Sequence, residues 1–242
     1  MRRDRRLEGG LLASGSNDLV LSMLLTEVRR LHPDFYLFSA GTGGIEGLQA
    51  LNAGYADIAW SHLFDPESGE YNIPFLPIYA PNVRPAVINL YYRDLGLLVA
   101  PNNPLSIKGF EDLGRKNVRF VNRQEGSGTR KLIDHHLARL GFDPAQIDGY
   151  DREACTHLEV GLSVLSNEVD VGIAATAISR LLGLSFIPVA HERFDMILDQ
   201  HTFFHDGVQA LMVVLRSESF RGRAARLGNY DFKDSGEILY AP

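Results

Sequence analysis

Short β-rich runs alternate with helical patterns along this chain, and glycine or hydroxyl residues stand at the hand-over points. No other feature constrains the fold as much. Leu11-Leu12-Ala13 passes through Ser14-Gly15-Ser16 into Leu19, Val20, Met23, Leu24 and Val28 at helical spacing, which Leu31-His32-Pro33 stops. Residues 35–38 read as a strand, 41–44 as a turn, 45–52 as a helix closed by Gly54, and 57–61 as the next strand. A β-α-β-α-β succession calls for a parallel sheet with crossover helices.

Residues 65–85 break that rhythm with prolines at 66, 74, 77, 81 and 85, and read as a long ordered loop. Residues 87–92 and 95–100 follow as two strands separated by Arg93-Asp94, able to carry the chain from one lobe into another. A second α/β set comes next: a strand at 118–121, then a helix at 127–140 ended by Gly141. Thr156-His157-Leu158-Glu159 has the form of a capping box and opens another helix. Strands at 169–173 and 186–189 flank a helix at 176–182, and 196–198 returns the chain to the first lobe, where 208–216 and 220–227 look helical. The expected organisation is a basic arm or linker at 1–10, lobe I at 7–92 plus 196–242, and lobe II at 93–195.

Composition narrows the function. With 45% hydrophobic residues among 242, the chain can fill real cores, which excludes disorder as its main state. A net charge of −6 speaks against blanketing nucleic-acid phosphates, so no direct nucleic-acid binding is expected. Four arginines and one aspartate in residues 1–6 sum to +3, leaving −6 − 3 = −9 on the rest. One cysteine, Cys155, supports neither an internal disulfide nor a multi-thiolate zinc site. No window approaches the roughly 18 to 20 apolar residues that a membrane span needs. The start has a signal peptide's positive charges without its apolar stretch, so the expected location is cytoplasmic, or periplasmic if a leader has been removed.

Several catalytic motifs are absent: there is no P-loop and no G-x-S-x-G elbow, and Gly41-Thr42-Gly43 departs from a dinucleotide fingerprint. His201 and His205 have chelating spacing without supporting carboxylates or cysteines, so no metal is expected on side-chain ligands. What recurs is a chemistry of junctions: Ser14-Gly15-Ser16, Gly41-Thr42-Gly43-Gly44, Ser127-Gly128-Thr129 and Cys155-Thr156 each lie where a strand hands over to a helix. Helix starts leave N–H groups unpaired and carry partial positive charge; Ser and Thr add hydroxyl donors, and Gly admits an anion to the backbone. In open α/β sheets such ends face the ligand crevice. Ordinary capping also selects these residue types, most plainly at Thr156, where Glu159 completes the box.

Asn122-Arg-Gln-Glu-Gly-Ser-Gly-Thr-Arg130, with Leu132-Ile-Asp134, Gly149-Tyr150, Thr156-His157, Val169-Asp-Val-Gly172 and Leu184-Ser-Phe-Ile-Pro188, resembles the periplasmic-binding-protein-like family often described as molybdate-binding proteins or domains. Ala13-Ser-Gly-Ser-Asn-Asp18, Ser61-His62-Leu63, Asp65-Pro66-Glu67 and Asn229-Tyr-Asp231 agree, and the likeness runs from residue 11 to about 240. The resemblance implies an α/β, type II periplasmic-binding-protein-like fold: two α/β lobes joined by a two-strand hinge, with a ligand cleft between them. It implies a non-catalytic solute-binding or sensor role with molybdate or tungstate as the bound oxyanion and no further cofactor. It also implies a partner outside this chain, either a transporter or an upstream DNA-binding or molybdopterin-biosynthesis domain.

On that reading Ser14, Gly15 and Ser16 donate from the first lobe with Thr42 and Gly43, while Ser127, Gly128 and Thr129 close from the second with Thr156 as the fourth corner. Arg123 and Arg130 are the charge partners, unless an acid such as Glu125 pairs with them. His62 and His157 are candidates for lining the cleft or for internal hydrogen bonding. Two alternatives stay open: an amino acid or small carboxylate held through Arg123 or Arg130, and an enzyme of molybdenum-cofactor metabolism using His62 or His157 as a base.

Overall fold

The computed structural model of the protein describes residues 10–242, so the arm expected at 1–10 lies outside the described residues apart from Gly10. The described chain divides into two compact units: residues 10–91 with Arg193–Ala224 and Phe232–Pro242, and Tyr92–Glu192 with Ala225–Asp231.

The first unit opens with strand β1 (Gly10–Gly15), helix α1 (Leu19–Leu31), β2 (Tyr36–Gly41), α2 (Gly44–Asn52) and β3 (Ile58–Ser61). Asp18 caps α1, accepting from the N–H groups of Val20 and Leu21, and the buried face of the helix carries Val20, Leu21, Leu24 and Val28. β1 lies parallel to both β2 and β3. The proline-rich stretch contains a 3-10 turn at Ile73–Phe75 and the one-turn helix α3 (Leu76–Tyr79) before β4 (Pro85–Val99). Leu48, Leu51, Ala59, Leu63, Leu76, Val87 and Ile197 form one core of this unit.

In the second unit β5 (Phe120–Arg123), α4 (Gly128–Arg139), β6 (Glu153–Ala154), α5 (His157–Leu165), β7 (Val171–Ala175) and α6 (Thr176–Leu182) lead into β8 (Ser185–Asp199). β5 runs parallel to β6 and β7, and β7 pairs antiparallel with β4. Its core gathers Leu97, Phe110, Phe120, Ile133, Leu137, Val171 and Ile173. The end of β8 pairs antiparallel with β3 in the first unit, followed there by α7 (Asp206–Arg216) and α8 (Glu218–Ala224). β9 (Tyr230–Asp231) joins β4 at Tyr92 and Arg93, and β10 (Ile238–Tyr240) joins it at Val87 and Ile88.

Three expectations are corrected. Arg93-Asp94 does not divide two strands, because β4 is continuous through them: Arg93 is buried and its guanidinium meets Glu192 at 2.5 Å, so the charge is neutralised inside the sheet. The segments expected at 186–189 and 196–198 are one strand, β8. The lobe borders also move. Residues 193–195 fall in the first unit, where Asp195 pairs with Ser61. Ala225–Asp231 belongs to the second unit, where the Asn229 amide donates to Asp94 and β9 pairs with β4.

Candidate functional site

In the first unit the ends of β1 and β3 and the start of α2 are stitched together at Gly15. Its carbonyl accepts from the N–H groups of Thr42 (2.9 Å) and Gly43 (3.1 Å), and Ser16 N–H donates to Trp60 O. Gly15 has φ +135°, and a Cβ there would lie 2.2 Å from Trp60 O, so no other residue fits. Gly47 brings α2 equally close, its added Cβ falling 2.7 Å from Gly15 Cα.

This packing gathers hydroxyls. Ser14 Oγ and Thr42 Oγ1 are 2.8 Å apart. Ser16 Oγ and Ser61 Oγ are buried and make no hydrogen bond among the described residues, an arrangement that disfavours the fold unless something outside it satisfies them. A Cβ on Gly44 would sit 2.9 Å from Ser61 Oγ, which places that hydroxyl against the first turn of α2. Gly43, at φ +109°, gives α2 no side-chain cap. The start of α1 is different, because the buried Asp18 carboxylate occupies it and also accepts from Tyr91 OH at 3.0 Å. His62 is buried with its ring stacked on Phe194 (5.6 Å), which stacks in turn on Tyr91 (5.2 Å).

In the second unit, β5 delivers Arg123 to the strand-to-helix junction, where it is 5% exposed. Its guanidinium donates to Ala154 O (3.1 Å), Cys155 O (3.0 Å), Gln124 Oε1 (3.2 Å) and His157 Nδ1 (3.0 Å). Among the described residues no carboxylate lies within ion-pair distance, and Glu125 is exposed. Burial, then the Arg93 cation, pulls Arg123 down to about 10, against the opposing pull of Glu192. It is therefore charged at neutral pH, and a buried cation without a counter-ion is costly.

α4 starts beside it. Ser127 Oγ caps the helix by accepting from Arg130 N–H, which leaves its own proton to donate, and Thr129 Oγ1 is buried without a partner among the described residues. The first turn of α4 has no acidic residue. Arg130 is paired with acids: its guanidinium meets Asp134 (3.2 Å) and Glu153 (3.1 Å) and lies over the Tyr150 ring. Thr156 forms the full capping box read from the sequence, with Glu159 Oε2 taking the N–H groups of both Cys155 and Thr156, so the start of α5 already holds an anion.

Of the four junctions singled out in the sequence, two are thus filled by the protein's own carboxylates, Asp18 and Glu159. The start of α2 has no side-chain cap, with the exposed Glu46 in its first turn, and the start of α4 is capped by the neutral Ser127 hydroxyl with no acid in its first turn. Ser61 escaped the sequence-based selection although it ends β3 as Ser14 precedes the end of β1; applying the strand-end rule to every parallel strand would have found it. Among the described residues no group of three or more His, Cys, Asp or Glu could hold a metal ion, and no helix is long and apolar enough to cross a membrane. His205 caps α7 through Nδ1.

A family model described as a PBP superfamily domain matches residues 25–216. The chain is 32% identical over 197 residues to the uncharacterized protein YvgK of Bacillus subtilis, covering 81% of this chain and 63% of that relative's length. In structure it is similar to a phosphate ABC transporter substrate-binding protein of Clostridium perfringens with bound phosphate, with a TM-score of 0.66 and 15% identity over 90% of this chain and 97% of that one. The tungstate ABC transporter structure of Geobacter sulfurreducens gives a TM-score of 0.62 and 15% identity over 90% and 99%. At such identities the likeness shows the fold.

Proposed function

The chain belongs to the PBP superfamily, and from that premise we propose that it is a non-catalytic binding protein whose ligand is a small tetrahedral oxyanion, molybdate or tungstate. One observation carries the reading: Arg123 is a buried cation with no carboxylate within ion-pair distance among the described residues, beside a helix whose first turn has no acidic residue. In the first unit, the start of α2 lacks a side-chain cap and has the hydroxyls of Ser14, Ser16, Thr42 and Ser61 around it, donors of the kind an oxyanion takes. A tetrahedral dianion takes many donors at once, and charge-assisted hydrogen bonds are about twice as strong as neutral ones. The two structural neighbours, one with bound phosphate and one a tungstate transporter protein, support an oxyanion and a transporter as partner.

Arg123 also suits a carboxylate. An amino acid would need an acid for its amine as well, and Asp18 is engaged by two backbone N–H groups and Tyr91 OH. A base role for His157 is disfavoured because a ring nitrogen of His157 accepts from Arg123.

The test is calorimetry and thermal unfolding with molybdate, tungstate, sulfate, phosphate and a panel of amino acids. At a hundredfold excess over Kd a native-state ligand stabilises by about 2.7 kcal/mol, which is readily visible. Arg123→Gln should weaken the bound ion about tenfold or more, the value of one charge-assisted bond. A response to amino acids with indifference to every oxyanion overturns the reading.

A further inference from the structure

Ser61 Oγ lies at the first turn of α2, and the main chain that carries it is held from an unexpected direction. Asn72, wholly buried and at φ +61°, donates from Nδ2 to Ser61 O (3.2 Å), accepts on Oδ1 from Leu63 N–H (2.8 Å), and donates its own N–H to Leu63 O (2.8 Å). One asparagine thus grips both sides of His62. The same Nδ2 donates to Asp195 Oδ2 (2.8 Å), which also accepts from Arg193 Nε (2.9 Å), while Asp195 Oδ1 accepts from Asn89 Nδ2 (3.2 Å). Asp195 stands opposite Ser61 in the β3–β8 pairing, so the network lies beside the hydroxyl-bearing residue on the neighbouring strand. Arg193 ties in the far end of the loop through Tyr71 O (2.8 Å).

A left-handed asparagine and a wholly buried carboxylate, paired with a half-buried arginine, are a costly set to keep where apolar packing would serve stability as well or better. Burial pushes the Asp195 carboxyl up to about 6 even with Arg193 and the two amides opposing it. We propose that Asn72 and Asp195 are positioning residues, which hold the Ser61 hydroxyl at the start of α2 for the anion to meet. The proposal rests on the oxyanion reading for the identity of what Ser61 meets. Asn89 adds a detail that makes it testable. Its Oδ1 is buried without a partner among the described residues, so turning that amide over would let an asparagine at position 195 satisfy it while still accepting from Asn72.

The experiment uses the full chain, with molybdate and tungstate as probes in calorimetry. Ser61→Ala should weaken binding about tenfold, as loss of a hydrogen bond to a charged group does. Asn72→Gly, which tolerates the positive φ, should match it, and the double variant should lose no more than either single one. Asp195→Ala should bind like Asn72→Gly, and Asp195→Asn should bind within about twofold of the parent, since it keeps an acceptor for Asn72. Additive losses, or full affinity in Asn72→Gly, overturn the proposal. Exchange of the Leu63 amide, measured without any anion, separates the two readings: it should quicken in Asn72→Gly and not in Asp195→Asn. If the parent protein takes up no oxyanion the functional reading fails, and Leu63 exchange alone then decides whether the clamp exists.

Discussion

Arg123 and Arg130 bracket the same loop, and burial sorts them. Arg130 stays close enough to the surface to find Asp134 and Glu153, while Arg123 is turned inward among carbonyls that offer dipoles and no charge. At the other buried charge, Asp195, the balance leaves a pH signature. An aspartate in an unfolded chain titrates near 3.9, whereas burial lifts this one to about 6. Between those values the folded state keeps a proton that the unfolded state has lost. The stabilisation is therefore complete below pH ~4 and is lost as pH rises through 6, a change of about 3 kcal/mol. Asp195→Asn removes the titration. Chemical denaturation at pH 4 and pH 7 should show the variant gaining on the parent by about that amount, and an unchanged difference would refute the assignment.

Among the elements, α5 tests whether a junction that looks like an anion site is one. Its N–H groups are already taken by the Glu159 carboxylate and Thr156 Oγ1. Thr156→Ala should cost about 1 kcal/mol of stability, the usual value of an N-cap, and leave oxyanion affinity unchanged; a parallel loss of affinity would return Thr156 to the site. The capping box was legible because its signal is local, two residues at fixed spacing. The parallel strands and the helices between them were legible for the same reason. Asp18 was harder to read, since only the fold shows its carboxylate turned back onto Val20 and Leu21 rather than outward. Arg93 misled because a charge in a strand usually marks its end. Its partner Glu192 lies far along the chain, and that pairing keeps β4 continuous. Ser61 and the Asn72–Asp195 clamp depend on contacts between β3, the loop and β8, which no spacing rule carries.

For the molecule as a whole, the formal charge of −6 and the proposed anionic ligand have to coexist. They do so if attraction is confined to buried donors, hydroxyls, helix starts and one guanidinium, while the surface at large repels. Salt then has opposite effects at the two ranges. Raising ionic strength from 10 to 150 mM shortens the screening length from about 30 Å to about 8 Å, which weakens the repulsion met by an approaching dianion and leaves buried contacts nearly untouched. The single tryptophan, Trp60, is a built-in reporter, since its carbonyl accepts from Ser16 N–H and its indole donates to Ser39. Stopped-flow fluorescence should show the association rate for molybdate or tungstate rising by roughly twofold over that range, with dissociation nearly constant. An association rate that falls steeply with salt would mean that a cationic surface steers the ligand. Recognition would then begin outside the buried donors, and Arg123 would no longer suffice as the source of attraction.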